Sequence, residues 1–205
     1  MINNSKKKIL EKAFNLFLTR SYDSVSMREI QEAAKVSRGA IYHHFSSKEE
    51  IYEDIINEYL LPMFSSYSLI TDEEKKTLQS AILASLKNRQ NYLNSLKETV
   101  STKMADYYLF QFMFQATEHS KNFKEQINLQ TEKEFNGWRS LVQFAMRSGE
   151  IKSDIDIDYV AQSFLTIPFG LGVFSAFSNY VNINTNDLRS SYLKFYNLLK
   201  KNSFG

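Results

Sequence analysis

Apolar residues recur along this chain at helical spacing. Ile9, Leu10, Ala13, Phe14, Phe17 and Leu18 fall at i, i+1, i+4, i+5, i+8 and i+9, one stripe on a first helix of about four turns. Ser26-Met27-Arg28-Glu29 fits a capping box, in which the hydroxyl and the glutamate satisfy each other's end of the backbone. It opens a short second helix with Ile30, Ala33 and Ala34 inward. Lys35 and Val36 make a tight turn, Ser37 caps a third helix, and Ser47 with Glu50 opens a fourth. That helix carries Ile51, Tyr52, Ile55, Ile56, Tyr59 and Leu60 until Pro62 kinks or ends it. Further helices are expected over about 72–97, 103–119, 122–148, 156–180 and 185–202, with Gly149 marking one stop. The fold class is therefore all-α: a three-helix amino-terminal helix-turn-helix domain over 1–47, then a larger helical domain over 48–205.

The second and third helices are separated by two or three residues, and small Ala33 and Ala34 let them approach closely, which is the helix-turn-helix arrangement. In the third helix Ile41 and Phe45 are i and i+4 and must pack inward. That turns Arg38, Gly39, Ala40, Tyr42 and His43 outward. Gly39 and Ala40 leave the backbone open to a base-pair edge, and Arg38 can grip guanine or a phosphate. Tyr42 and His43 offer hydrogen bonds to phosphate oxygens. Lys48 sits unfavourably in the first turn of a helix, a cost that a bound anion would offset.

Charge changes the picture by its distribution. Residues 1–48 carry nine Lys/Arg against four acids, +5, so the remainder of the +2 chain is −3. A basic amino-terminal quarter on an acidic body points to a polyanion partner for that quarter. Hydrophobic residues at 43% suffice for a core, and six Gly with two Pro suit long helices. The absence of Cys excludes disulfides, thiolate metal sites and a cysteine nucleophile, and suits a reducing cytoplasm. No signal peptide is expected, because Glu11 and Lys12 interrupt the apolar stretch after the first lysines. The uncharged run 159–186 is diluted by Gln, Ser, Thr and Asn and reads as a protein-buried helix, with no membrane partner. His43 and His44 diverge by about 100° on a helix and make a poor metal pair. The 153–158 run lacks the Gly and Glu of a calcium loop, leaving Asp156 as a helix cap. No cofactor, metal or catalytic residue is assigned: there is no nucleophile–base pairing and no glycine-rich phosphate loop.

The segment "SMREIQEAAKVSRGAIYHHFSSKEE", residues 26–50, closely resembles the DNA-binding signature of the TetR/AcrR transcription regulators. The resemblance implies that the third helix enters the major groove and that Ser26, Arg28, Ser37, Arg38, Ala40, Tyr42, His43 and Lys48 lie near DNA. Ser21 and Lys35 depart from it, standing where glycine is usual.

In the larger part the resemblance implies a ligand-binding and dimerisation domain. Its cavity for an apolar or aromatic effector would be lined by Tyr59, Tyr107, Phe110, Phe114, Trp138 and Val142. Two carboxy-terminal helices per subunit would form the homodimer interface, through Phe164, Leu171, Phe174, Tyr192, Phe195 and Tyr196. Independently, an uncharged helix over 159–179 needs cover on more than one face. The function expected is a cytoplasmic, ligand-responsive regulator, a repressor of a pseudo-palindromic double-stranded DNA operator, released by a small molecule. A helical small-molecule enzyme or a structural adaptor without operator binding are the alternatives.

Overall fold

The computed structural model describes residues 4–101, 105–177 and 185–201, and these are almost wholly helical. The helices are α1 (Asn4–Thr19), α2 (Met27–Ala34), α3 (Arg38–His44), α4 (Lys48–Ile55), α5 (Leu78–Thr99), α6 (Ala105–His119), α7 (Phe123–Arg147), α8 (Ile157–Phe177) and α9 (Thr185–Leu199). They form two compact units, residues 1–62 with 94–127, and residues 63–93 with 128–205. The first contains the whole 1–47 segment together with α4 and α6.

In the first unit every member of the α1 stripe is buried, and α1 packs on α2, α3, α4 and α6. Phe14 stacks on Tyr59 with centroids 4.7 Å apart and meets Phe112 edge-on. Ahead of Pro62, α4 leaves regular geometry: residues 56–60 form a π turn and Leu61–Phe64 a 3-10 turn. Proline has no N–H to give and its ring crowds the carbonyl four residues back, so the helix cannot run on unchanged.

The core of the second unit is built on Trp138, which stacks on Phe164 at 4.7 Å; Phe164 in turn meets Tyr192 and Phe195 edge-on. Two carboxylates organise its backbone. Glu134, almost fully buried, accepts from the amides of Tyr67 at 2.6 Å and Ser68 at 2.9 Å, and from the hydroxyls of Ser66 and Ser68. Glu150 accepts the first amides of α5, Leu78 at 2.9 Å and Gln79 at 3.0 Å, and the Tyr196 hydroxyl at 2.9 Å. A carboxylate at a helix amino terminus satisfies orphan donors and complements the dipole. That is why α5 starts at Leu78 and not near 72: Thr71 and Glu74 box a single 3-10 turn, and Thr77 then caps a fresh start. Asp156 caps α8 through the amides of Asp158 and Tyr159. Gly149, at φ +76°, closes α7 in the left-handed conformation that glycine adopts without penalty.

α8 departs from the fully buried helix expected for 159–186. Val160, Ala161 and Phe164 face the core, while Tyr159 and Phe174 are each 66% exposed and Val173 is 40% exposed. By length and composition α8 could cross a membrane. Residues 178–184 of the expected run, and 102–104 at the expected start of α6, lie outside the described residues.

Of the two positions that depart from the family's glycines, Ser21 is extended (φ −64°) and unstrained. Lys35 is left-handed at φ 52° and closes α2 by donating its amide to the carbonyls of Gln31 and Glu32. A side chain there costs about 1–2 kcal/mol, partly offset by the entropy that glycine adds to the unfolded chain. Lys35→Gly should therefore raise stability by roughly 0.5–1 kcal/mol, a gain of about one to four degrees in Tm that thermal melts will read.

Candidate nucleic-acid interface

α3 has seven residues, too few to hold a helix alone in water. Its form comes from its ends and its anchors. Ser37 Oγ accepts the Ala40 amide at 3.1 Å, and Phe45 donates its amide to Ile41 O at 2.9 Å. Ile41 and Phe45 are fully buried, with Lys6 Nζ over the Phe45 ring at 5.3 Å. The other edge is therefore open: Arg38, Gly39 and His43 are exposed, Tyr42 is 49% exposed and Ala40 is half-buried. Arg38 lies over the Tyr42 ring at 5.8 Å, so guanidinium and phenol form one outward ledge. A Cβ built on Gly39 would meet nothing closer than Ser37 Oγ at 4.0 Å. Packing within the protein gives no reason for glycine there.

α2 is held at its start by both halves of the box. Ser26 Oγ accepts the Glu29 amide, and Glu29 accepts the Ser26 amide at 2.8 Å. Glu29 also binds Arg20 at 2.8 Å, and that guanidinium, with Ser26, lowers its carboxyl to about 2. The box draws on both the amide and the hydroxyl of Ser26. Arg28, exposed on the same helix, is paired with Glu32 at 2.8 Å. At α4, Ser47 caps the Glu50 amide, but Glu50 reaches past it to the Ser46 amide at 2.6 Å.

Lys48 is half-buried. Its ammonium donates to Tyr22 O at 3.0 Å and lies 4.0 Å from the centre of the Tyr22 ring. A carbonyl and a π face thus compensate for a cation at a helix start, and one of three ammonium donors is engaged.

Tyr22, an apolar residue of the loop after α1, folds back onto that helix and stacks on Phe17 at 5.8 Å; its further bonds make it a junction. Its amide donates to Gln115 Oε1 at 2.8 Å, its ring stacks on His119 at 4.5 Å, and its hydroxyl donates to Glu49 at 3.0 Å. Burial pushes the phenol's pKa up, and the Glu49 carboxylate adds to it. Ser120, just past α6, donates to Glu53 of α4 at 2.8 Å. The last turn of α6 therefore holds the α1–α2 loop and α4 together. The only sequence signal was a large aromatic in a polar loop.

The remaining site residues scatter. Tyr59 and Phe110 are buried in the first unit, where Tyr107 and Phe114 are 39% and 64% exposed, whereas Trp138 and Val142 are core of the second. None of the six lines either of two cavities found among the described residues of the second unit. One, of about 290 Å³, is bounded by Phe64, Thr131, Glu134, Leu165, Thr166 and Phe169. The other, of about 550 Å³, shares Thr131, Leu165 and Thr166 and adds Phe135 and Gln162. Among the interface candidates Phe174 points outward and Leu171 and Phe195 are half-buried. Phe164, Tyr192 and Tyr196 lie inside their own unit, with Tyr192 donating to Phe164 O at 2.6 Å.

A capped, anchored helix with an open cationic and aromatic edge, preceded by a short helix and a three-residue turn, defines a helix-turn-helix DNA-binding protein. Residues 9–55 match the family described as "Bacterial regulatory proteins, tetR family". The repressor KstR2 of Mycobacterium tuberculosis is 26% identical over 161 residues, 78% of this chain and 75% of its own. AcnR of Corynebacterium glutamicum is 40% identical over 55 residues, 27% of this chain and 29% of its own. In fold, a tetR-family regulatory protein from Rhodococcus RHA1 superposes with a TM-score of 0.67 at 13% identity, covering 97% of this chain and 98% of its own. Residues 9–55 carry a tetR-family DNA-binding segment, and the chain is a DNA-binding transcription regulator similar to the tetR-family repressors.

Because no described residue fills the space above Gly39, Gly39→Ala tests whether a partner does. Helix propensity alone should raise stability by up to about 1 kcal/mol. If the backbone there lies against base edges, operator affinity falls at least about fivefold, read by fluorescence anisotropy; unchanged affinity would show that the face meets no DNA.

Proposed function

We propose that the chain is a repressor that binds a pseudo-palindromic operator as a homodimer in the cytoplasm and releases it when a small apolar or aromatic effector binds. The observation that carries this is the exposed α3 edge opposite buried Ile41 and Phe45. On it Arg38 would read a base or grip a phosphate, Gly39 and Ala40 would let the backbone approach, and Tyr42 and His43 would position the helix. Ser26, Arg28 and Ser37 flank it, and Lys48 would contact a phosphate through the donors not given to Tyr22 O. The relatives' names, transcriptional repressors, support the sign of regulation and a regulator over an enzyme.

The division of labour is 1–47 for DNA and 48–205 for effector and dimer. The dimer reading is supported by α8: Tyr159, Gly170, Val173 and Phe174 lie exposed on the side away from buried Val160, Ala161 and Phe164. A second copy covering that side would present two reading helices about one DNA turn apart. For the effector, the paired cavities beside α7 and α8 are the best-supported site. Phe64, in the wall of the smaller one, follows Pro62 by two residues, so a ligand touching it acts on the chain that leaves α4. The change in operator affinity is limited to the ligand's differential affinity for the two arrangements.

A gel shift on the DNA flanking the gene, at two salt concentrations, tests the first half. Retardation should weaken steeply with salt, and Arg38→Ala should cost about 1–3 kcal/mol; no retardation at low salt would refute it. For the second half, Phe174→Glu places a charge on that side of α8. Sedimentation should show a dimer for the parent and a folded monomer for the variant, and a monomeric parent would refute the interface.

A further inference from the structure

The cavity walls carry a chemical preference. The smaller cavity is lined by Phe64 and Phe169, stacked at 5.0 Å, together with Leu165, Thr131 and Thr166. Its charged member is Glu134, whose oxygens accept from Ser66, Tyr67, Ser68 and Gln130 and are therefore locked in place. The adjoining cavity adds Glu132, Asn128 and Gln162. Among the described residues, neither lining includes a Lys, Arg or His. Lys75, over the neighbouring Tyr67 ring, is paired with Asp72.

Resting on the effector reading above, we propose that this double cavity selects flat, apolar molecules bearing a positive charge and discriminates against anions of the same shape. The aromatic pair offers negative π faces to a cation, and Glu134 and Glu132, the charged members of the described lining, are both carboxylates. The threonine hydroxyls and the amides of Asn128 and Gln162 would orient a ligand whose remaining surface is apolar. Because Glu134 also holds residues 66–68, a molecule entering beside it bears on the segment that follows α4.

The test uses the full chain and two bicyclic probes of opposite charge, 1-methylquinolinium and 2-naphthoate, titrated by isothermal calorimetry. Trp138, the sole tryptophan and one helical turn beyond Glu134, gives a second, fluorescence readout. The cation should bind at least tenfold more tightly than the anion. Glu132→Gln, an exposed substitution at the rim, should narrow that ratio. Thr131→Phe, which fills space common to both cavities, should reduce cation binding at least tenfold with the thermal melt unchanged. Equal or tighter binding of the anion, or no binding of the cation, overturns the proposed selectivity. Cation binding untouched by Thr131→Phe overturns the location. Operator retardation measured on the same preparation without probe reports separately on the regulator reading, so a failure of one is not mistaken for a failure of the other.

Discussion

The burial of Ile41 and Phe45 against the first unit's core is the constraint on which the reading head depends. Seven residues cannot sustain a helix on hydrogen bonds alone. The two side chains fix its rotation, the Ser37 cap fixes its start, and the side chains between them can then only face away. The exposure of Arg38, Gly39, Tyr42 and His43 follows from that rotation. A turn of 100° about the α3 axis would bury Tyr42 or His43 and remove the ledge that Arg38 and Tyr42 make.

Around this anchor, the molecule repeatedly uses a carboxylate to collect backbone amides. Glu29 closes the start of α2, Glu134 gathers the amides of Tyr67 and Ser68, and Glu150 closes the start of α5. Each replaces water as the acceptor for amides that helix or turn geometry leaves without one. Tyr22 joins these local arrangements in the first unit, since its amide, carbonyl, ring and hydroxyl all have partners on α4 or α6. Displacement of the α6 terminus would therefore reach Lys48 through a single side chain.

The helix-turn-helix was legible in the sequence because its signals are local. Caps lie three residues from their targets, and the α1 stripe and the Ile41–Phe45 pair are set by helical period. The second unit was less legible for a physical reason: beyond Asp158, α8 carries no charged residue that would tell one face from another. Phe164, Tyr192 and Tyr196, candidates for a subunit interface, instead stack and hydrogen-bond within their own unit, while Tyr159 and Val173 face out unannounced. The start of α5 depended on Glu150, 72 residues away, and the partner of Lys48 on a loop tyrosine 26 residues back. Aromatic spacing placed Trp138 and Val142 on one helix face, as the structure has them, but could not separate packed core from cavity wall.

The chain has no cysteine, so a single one reports cleanly on its surroundings. Ala40→Cys and His43→Cys on the α3 edge, and Gln79→Cys on an exposed turn of α5, can be labelled with a maleimide with and without saturating operator duplex. The account predicts that DNA slows labelling severalfold at 40 and 43 and leaves 79 unchanged. Equal rates at 40 and 43 with and without bound duplex would contradict it.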